Sequence, residues 1–356
     1  MRAGNVVDGR DWPAQFRPVL SKLAAHGQRY FGADRVDLEP VRQLDRPFST
    51  LLQIRIAGSA TMDEAFVKIL KPRADTPEQI ASMRQNVLDD FEMTRRVHDG
   101  LASYPGLTAV RPIACFPEDL AIVTEEVHGE TLSDLLSSRA AGVRRQRTIA
   151  HLGSILRAVG GWLKAAQAAL APDRDVSPER MRAYLDTRLR DLESSGTLRL
   201  TAHGRGLIES YRDRLLAESA PDLRAVWIHA DFCPENIIVR DGRVTVLDFT
   251  MAKGGTVYHD VSHLYLRLDA MKAKPWFTTR VIEHLQRNLL DGFEPGLSPL
   301  RPLFSLMLLQ HVLCDLVALR SPAGGRIARL YADRLHRRHR HWLARAARLD
   351  DRSWTR

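Results

Sequence analysis

The spacing of apolar positions changes several times along the chain, and each change marks an element. Period-two alternation runs through Leu51-Leu52-Gln53-Ile54-Arg55-Ile56 and again through Ala65-Phe66-Val67-Lys68-Ile69-Leu70. A short polar turn containing Gly58 joins them, which predicts an antiparallel pair of strands. Helical spacing flanks this pair. Phe16, Val19, Leu20 and Leu23 predict a helix within 11–31, and Ile80, Met83, Val87, Phe91 and Leu101 predict another over 77–101, with Pro77 suited to its first turn. An apolar strand follows at 120–123. Ile149, Leu152, Ile155, Leu156, Val159 and Leu163 then return to helical spacing. The longest apolar stretch, 303–319, is interrupted by Ser305, Gln310, His311 and Asp315 and falls short of the roughly 20 clean residues of a membrane span, so it predicts a buried helix. Last comes a stripe through Ile327, Leu330, Tyr331, Leu335, Trp342, Ala346 and Leu349, broken by Arg334 and Arg338.

Two β-branched runs, Ile237-Ile238-Val239 and Val244-Thr245-Val246-Leu247, flank Arg240-Asp241-Gly242-Arg243, and Asp-Gly at that place predicts a two-residue hairpin turn. Pairing Arg240 with Arg243 sets Val239 against Val244 and Ile237 against Val246. Asn236 then falls opposite Leu247, one residue short of Asp248. An amide oxygen and a carboxylate side by side suit a hard, oxygen-loving cation such as Mg2+ held together with substrate phosphates. Asp231 stands five residues before Asn236, with His229 two residues earlier still, which is the H-x-D-x-x-x-x-N spacing of a phosphoryl-transfer loop. Asp231 would accept the proton of an attacking hydroxyl. Taken singly, Asp231 and Asn236 would only cap turns and Asp248 would only end a strand; spacing and hairpin together favour the chemistry.

These residues resemble the aminoglycoside phosphotransferase and choline kinase-like family of small-molecule kinases. Asp231-Phe232-Cys233-Pro234-Glu235-Asn236 ends in the Pro-Glu-Asn of protein kinase loops, but Cys233 stands where those kinases carry lysine, which favours small-molecule kinases. Ala65-Phe66-Val67-Lys68 resembles the V-A-I-K strand whose lysine holds the α- and β-phosphates of ATP, and alternation sends Lys68 to the face opposite Val67 and Ile69. The resemblance implies a glutamate on helix 77–101 as the partner of Lys68. Glu92 is chosen for it, with Asp89 and Asp90 as rivals. It also implies a hinge after 120–123, where the Glu125 carbonyl and the Val127 amide would receive adenine, and it makes Asp260 the aspartate that steadies the catalytic loop, against a plain helix cap. The turn 45–50, which would cover the phosphates, has no glycine, and Phe249-Thr250 replaces Phe-Gly. The matching set spans about residues 40–320.

The fold so implied is α+β and protein-kinase-like in two lobes. Residues 1–126 form a small antiparallel-sheet N-terminal lobe with one main helix that binds nucleotide. Residues 127–356 form a larger, mostly helical C-terminal lobe that carries catalysis and substrate binding and includes a basic helix at 326–349. The cofactors implied are ATP, with GTP as an alternative donor, and Mg2+.

Composition narrows the reading without changing it. Hydrophobic and charged fractions of 44% and 27% are those of an ordinary globular protein. Three cysteines, Cys115, Cys233 and Cys314, with no C-x-x-C pair, suggest neither a disulfide framework nor a zinc site. Residues 1–12 lack the apolar core of a signal peptide, so a cytoplasmic protein is expected. Net charge is +9, yet residues 320–356 alone carry eleven arginines against three acids, leaving the body nearly neutral. A polycationic aminoglycoside favours an acidic surface, so antibiotic resistance ranks below a metabolic or glycan role, with an anionic or membrane-associated alcohol preferred. The basic C-terminal helix would make peripheral contact with an anionic membrane, hold an anionic substrate, or be solvated on the second lobe. A catalytically silent nucleotide-binding regulator is the alternative from another class. Specific nucleic-acid binding has only the pI of about 9.8 behind it. His259 and His263, four apart, have no further ligand nearby to complete a metal set. His311 and Asp315, inside the apolar helix, must be satisfied by the acceptor pocket or by other core groups.

Overall fold

The computed structural model describes residues 12–72, 76–142, 146–319 and 325–354; of the segment 1–12, read as lacking the apolar core of a signal peptide, residues 1–11 lie outside them. The chain divides into two compact units, one of Met1–Gly129 with Thr245–Met251 and one of Glu130–Val244 with Ala252–Arg356. The fold class is α+β, as the sequence predicts.

In the first unit, helices α1 (Arg17–Ala25) and α2 (Gly27–Phe31) precede strands β1 (Asp37–Asp45), β2 (Ser49–Ala57) and β3 (Glu64–Leu70). Helix α3 (Pro77–Gly100) and the short strand β4 (Leu107–Ala109) follow, then β5 (Pro112–Phe116) and β6 (Ala121–Glu125). The five-stranded sheet has the order β1-β2-β3-β6-β5. Its neighbouring strands all run antiparallel, and Ala65, Val67 and Ile69 face Glu125, Val123 and Ala121. Alternation then decides what each sheet face buries. Leu52, Ile54, Ala65, Val67 and Val123 pack against Phe16, Val19, Leu20 and Phe31, while Ile122 packs with Val87, Ile80, Met83 and Phe91 of α3. Lys68 lies on the α3 side, opposite Val67, as its phase in β3 requires. Thr76 caps α3 by accepting from the Gln79 amide, with Pro77 in the first turn.

The second unit is mainly helical. Strand β7 (Glu130–Thr131) leads into helices α4 (Leu132–Arg139), α5 (Gln146–Ala169), α6 (Pro178–Ser194) and α7 (Ala202–Ser219). Strands β8 (Ala225–Ile228), β9 (Ile237–Arg240), β10 (Arg243–Val246, whose last two residues belong to the first unit) and β11 (Lys253–Thr256) come next, followed by α8 (His259–Met271), α9 (Thr279–Phe293), α10 (Pro302–Ala318) and α11 (Arg326–Ala346). Strand β11 pairs with β8, and β7 with β9. Between β9 and β10, Asp241 and Gly242 both take positive φ, 48° and 76°, as the predicted two-residue turn demands. Helices α5 and α9 approach so closely that a Cβ at Gly160 or Gly292 would collide with backbone of the facing helix.

Helix α10 is apolar nearly all round and buried accordingly, as its composition predicts. Among the described residues no helix is long and apolar enough to cross a membrane. Helix α11 departs from its predicted stripe. Its buried residues are Ala332, Leu335, His339 and Leu343, while Ile327 and Leu330 are 83% and 52% exposed. The reason is a polar core position: His339 Nε2 lies 3.1 Å from the Asp315 carboxylate of α10, and a satisfied histidine can hold a place that hydropathy assigns to solvent.

Candidate active site

Strand β3 carries Lys68 to a point where three oxygen-bearing side chains of the first unit converge. Its ammonium lies 3.2 Å from Asp248 Oδ1, 3.4 Å from Thr250 Oγ1 and 3.7 Å from Asp90 Oδ2. The Thr250 hydroxyl is 2.7 Å from Asp248 Oδ1 and 2.9 Å from Asp90 Oδ2. Burial alone would lower the Lys68 pKa, but the negative charges of Asp248 and Asp90 outweigh it and raise the value, so Lys68 stays a cation. Asp90 is pushed up, first by burial and further by the Asp248 charge, although Lys68 and Thr250 pull the other way. Asp248 has φ 61°, a left-handed backbone that a non-glycine residue holds only at a cost of about 1 kcal/mol or more.

The partner on α3 is therefore Asp90 and not Glu92. Glu92 is exposed and forks onto Arg95 one turn along the same helix, at 2.8 to 3.1 Å, and that bond lowers its pKa. Asp89 accepts from Gln85 instead. Helix phase explains the outcome. The buried positions of α3 are Val87, Asp90, Thr94 and Val97, and a residue two beyond Asp90 points away from that face. The same periodicity was available in the sequence, where Asp90 falls three residues after Val87 on the apolar stripe.

In the second unit, β8 delivers the loop 229–236. His229 is wholly buried, its ring edge-on to Trp227 and Phe232. The Asp231 amide donates to His229 Nδ1 at 3.3 Å, and Asn236 Nδ2 donates to both the Asp231 carbonyl, at 3.1 Å, and Asp231 Oδ2, at 3.2 Å. With its NH2 group so used, the amide oxygen of Asn236 is the atom suited to a cation. Ala230 has φ 64°, a second left-handed non-glycine residue. Asp260, fully buried at the start of α8, accepts the His229 amide at 2.6 Å and the Ala230 amide at 3.0 Å. Burial pushes the Asp260 carboxyl up, but the His259 hydrogen bond and the charges of His259 and His229 overcome it and hold the value below the usual range.

Glu125 ends β6 opposite Ala65, and Val127 follows where the strand has ended. Lys68, Asp90, Asp248 and Thr250 thus gather in the first unit, and Asp231, Asn236 and Asp260 in the second. The oxygen donors offered by Asp248 and Asn236 are of the hard type Mg2+ prefers. A further grouping, Glu64, Glu126 and His128, has ligand atoms within 4.8 Å of one another, but Glu64 is already held by Gln53 at 3.0 Å and faces Arg55 at 3.8 Å.

His259, His263 and His311 also meet, in contacts of 4.8 Å (His259 with His311) and 4.9 Å (His263 with His311) between ring centroids. Burial lowers the pKa of His263 to about 4 and that of His311 well below its ordinary value; around them stand Asp260 and Arg267 on α8, and Asp315 on α10. An unfolded histidine titrates near 6.5. Between these values the unfolded chain binds protons that the folded chain refuses, so stability is fully present above about pH 6.5 and falls as the pH drops. For His263 alone the loss is about 2 kcal/mol at pH 5. Urea midpoints measured at pH 7.5 and 5.0 should differ in that direction, and His263→Leu should flatten the difference.

The model of the phosphotransferase enzyme family, APH, matches residues 56–303, more than two thirds of the chain. Among curated protein sequences none matches. Similar solved structures include a choline/ethanolamine kinase family protein from Mesorhizobium loti, with TM-score 0.55 and 17% identity over 94% of this chain and 100% of that one. Another is a thermostable mutant of aminoglycoside phosphotransferase APH(4)-Ia in ternary complex with AMP-PNP and hygromycin B, with TM-score 0.53 and 16% identity over 91% and 98%. A third is the amicoumacin kinase hAmiN with AMP-PNP, Ca2+ and Ami, with TM-score 0.52 and 13% identity over 92% and 93%. At these identities the likeness shows the protein-kinase-like fold.

Proposed function

Because the chain belongs to the phosphotransferase enzyme family, we propose that it moves the γ-phosphate of ATP, with GTP as alternative donor, to a hydroxyl of a small molecule. The observation that carries this reading is the loop of Asp231, where the two preceding amides, of His229 and Ala230, are tied to buried Asp260 while the Asp231 carboxylate is held by Asn236. Such a carboxylate is oriented before substrate arrives, which is what a largely positional catalysis needs.

Asp231 orients the acceptor hydroxyl and takes its proton, and Lys68, braced by Asp90, orients the phosphates. The Glu125 carbonyl and the Val127 amide receive the adenine edge. Asn236 and Asp248 are the ligands proposed for Mg2+, which when bound neutralises charge on the phosphate oxygens. In this reading residues 1–126 form the nucleotide-binding lobe and 127–356 the catalytic and substrate-binding lobe of a cytoplasmic enzyme. A sugar, glycan or lipid-linked alcohol is preferred as acceptor over an aminoglycoside, because the charge excess is positive and repels polycations.

The test is ATP consumption with Mg2+ against aminoglycosides, sugars, choline-like amines, hydroxy amino acids and glycolipids, each with Asp231→Ala as control. Turnover on one class that vanishes in the variant supports the reading. Tight Mg-ATP binding with silence on every acceptor would make a nucleotide-binding regulator the better account.

A contact with anionic membrane is favoured by one feature of α11. Exposed Ile327 and Leu330 stand among exposed Arg326, Arg329, Arg334 and Arg337, an apolar tip in a basic surround. The chain should co-sediment with phosphatidylglycerol-containing vesicles and be released by salt, more easily so in Ile327→Asp. Equal recovery with neutral phosphatidylcholine vesicles, or none with either at low salt, sinks this contact.

A further inference from the structure

Three histidines of the second unit, His311 buried and His259 and His263 half-buried, form a connected set that ends on the loop carrying Asp231. His311 Nε2 on α10 donates to the His259 carbonyl at 2.9 Å, and His259 Nδ1 lies 3.1 Å from Asp260 Oδ1. Asp260 in turn accepts the amides of His229 and Ala230. The His311 ring stacks on His263, 4.9 Å between centroids with 23° between planes, and sits edge-on to His259 at 4.8 Å. His263 Nδ1 is buried and has no hydrogen-bond partner among the described residues. An unsatisfied buried nitrogen costs about 1 to 3 kcal/mol, so packing alone gives no reason to gather three imidazoles in this helix interface.

We propose that His311 and His259 are positioning residues for the catalytic loop, transmitting the place of helix α10 through Asp260 to the amides of His229 and Ala230 just before Asp231. The left-handed backbone of Ala230 makes such support necessary: without the Asp260 carboxylate, which accepts the amides of His229 and Ala230, the strained turn relaxes and Asp231 loses its aim. His311 acts from the side of α10, so whatever moves that helix changes the register of the base without touching it. His263 fills the space beside the His311 ring and limits its rotation. The inference rests on the proposed role of Asp231 for its effect on turnover, but not for its structural content.

Hydrogen–deuterium exchange of the full chain at pH 7.5 separates the two. In His311→Leu the peptide covering 226–236 should exchange about tenfold faster, the worth of one net hydrogen bond, while peptides of α5 and α9 stay as they were. His311→Gln, whose amide can still donate to the His259 carbonyl, should restore the slow exchange. If His311→Leu fails to fold, His259→Leu, which removes the Nδ1 contact with Asp260, is read in the same way against His259→Asn. Wild-type exchange of 226–236 in the leucine variant overturns the proposal, as does loosening spread evenly over α5, α8 and α9, which would mark a packing role. The readout needs no acceptor, so an absence of kinase turnover would sink the enzyme reading and leave this one standing.

Discussion

Asp231→Asn lowers phosphoryl transfer by about 10²- to 10⁴-fold, the contribution of a positioned acid or base, and leaves Mg-ATP affinity unchanged. The substitution keeps the shape of the side chain and removes its charge. An amide at 231 can still offer an oxygen to Asn236 Nδ2, which now lies 3.2 Å from Asp231 Oδ2, and the backbone ties to Asp260 and His229 do not involve the side chain at all. What is lost is the ability to hold and deprotonate the acceptor hydroxyl. Initial rates on the acceptor found by the panel, set beside a fluorescent-nucleotide titration, check both halves of the expectation. Undiminished turnover in Asp231→Asn would remove Asp231 from the chemistry, and lost nucleotide binding would show that its loop serves the nucleotide instead.

Much of this site was readable because its parts follow local rules. The face taken by Lys68 is dictated by strand alternation, and the positive φ angles of Asp241 and Gly242 by turn chemistry. The loop from His229 to Asn236 is a spacing within eight residues, so its internal bonds needed no knowledge of the rest. Choices between neighbours on a helix were legible too, but only if helix phase was given more weight than residue type. Glu92 has the longer carboxylate side chain and Asp90 the right phase, and burial follows phase. The histidine set was beyond sequence reasoning for a different reason. His259 and His263 are four apart and visibly share a face, yet His311 joins them from a helix 48 residues further on, and His339 enters the core by pairing with Asp315. Hydropathy scores each of these as a surface residue; only the partner across the interface reverses that, and partners between distant helices leave no periodic trace.

The pairing of Lys68 gives the second large effect, and one that separates Asp90 from its neighbour. Asp90→Ala should cost about 10²-fold in kcat/KM for ATP, the scale of a catalytic group displaced by about 1 Å, whereas Glu92→Gln should cost nothing. The difference follows from what each carboxylate holds. Without Glu92 an exposed Arg95 loses only a solvent-screened contact at the surface. Without Asp90, Thr250 loses one of the two carboxylates within reach of its hydroxyl and Lys68 keeps Asp248 as its one anionic partner in the cluster, so the ammonium swings toward the carboxylate proposed for the metal and away from the phosphates. The same arrangement fixes a pH dependence. Burial and the Asp248 charge raise the Asp90 pKa, so on acidification Asp90 becomes neutral earlier than an exposed carboxylate would, and the KM for ATP should rise on the acid side while Asp90→Asn shows a high KM at every pH. Steady-state ATP titrations of the three variants over pH 5 to 8 decide the matter. Equal losses in Asp90→Ala and Glu92→Gln, or an unaltered acid limb in Asp90→Asn, would mean that Lys68 takes its position from Asp248 and that α3 contributes only packing.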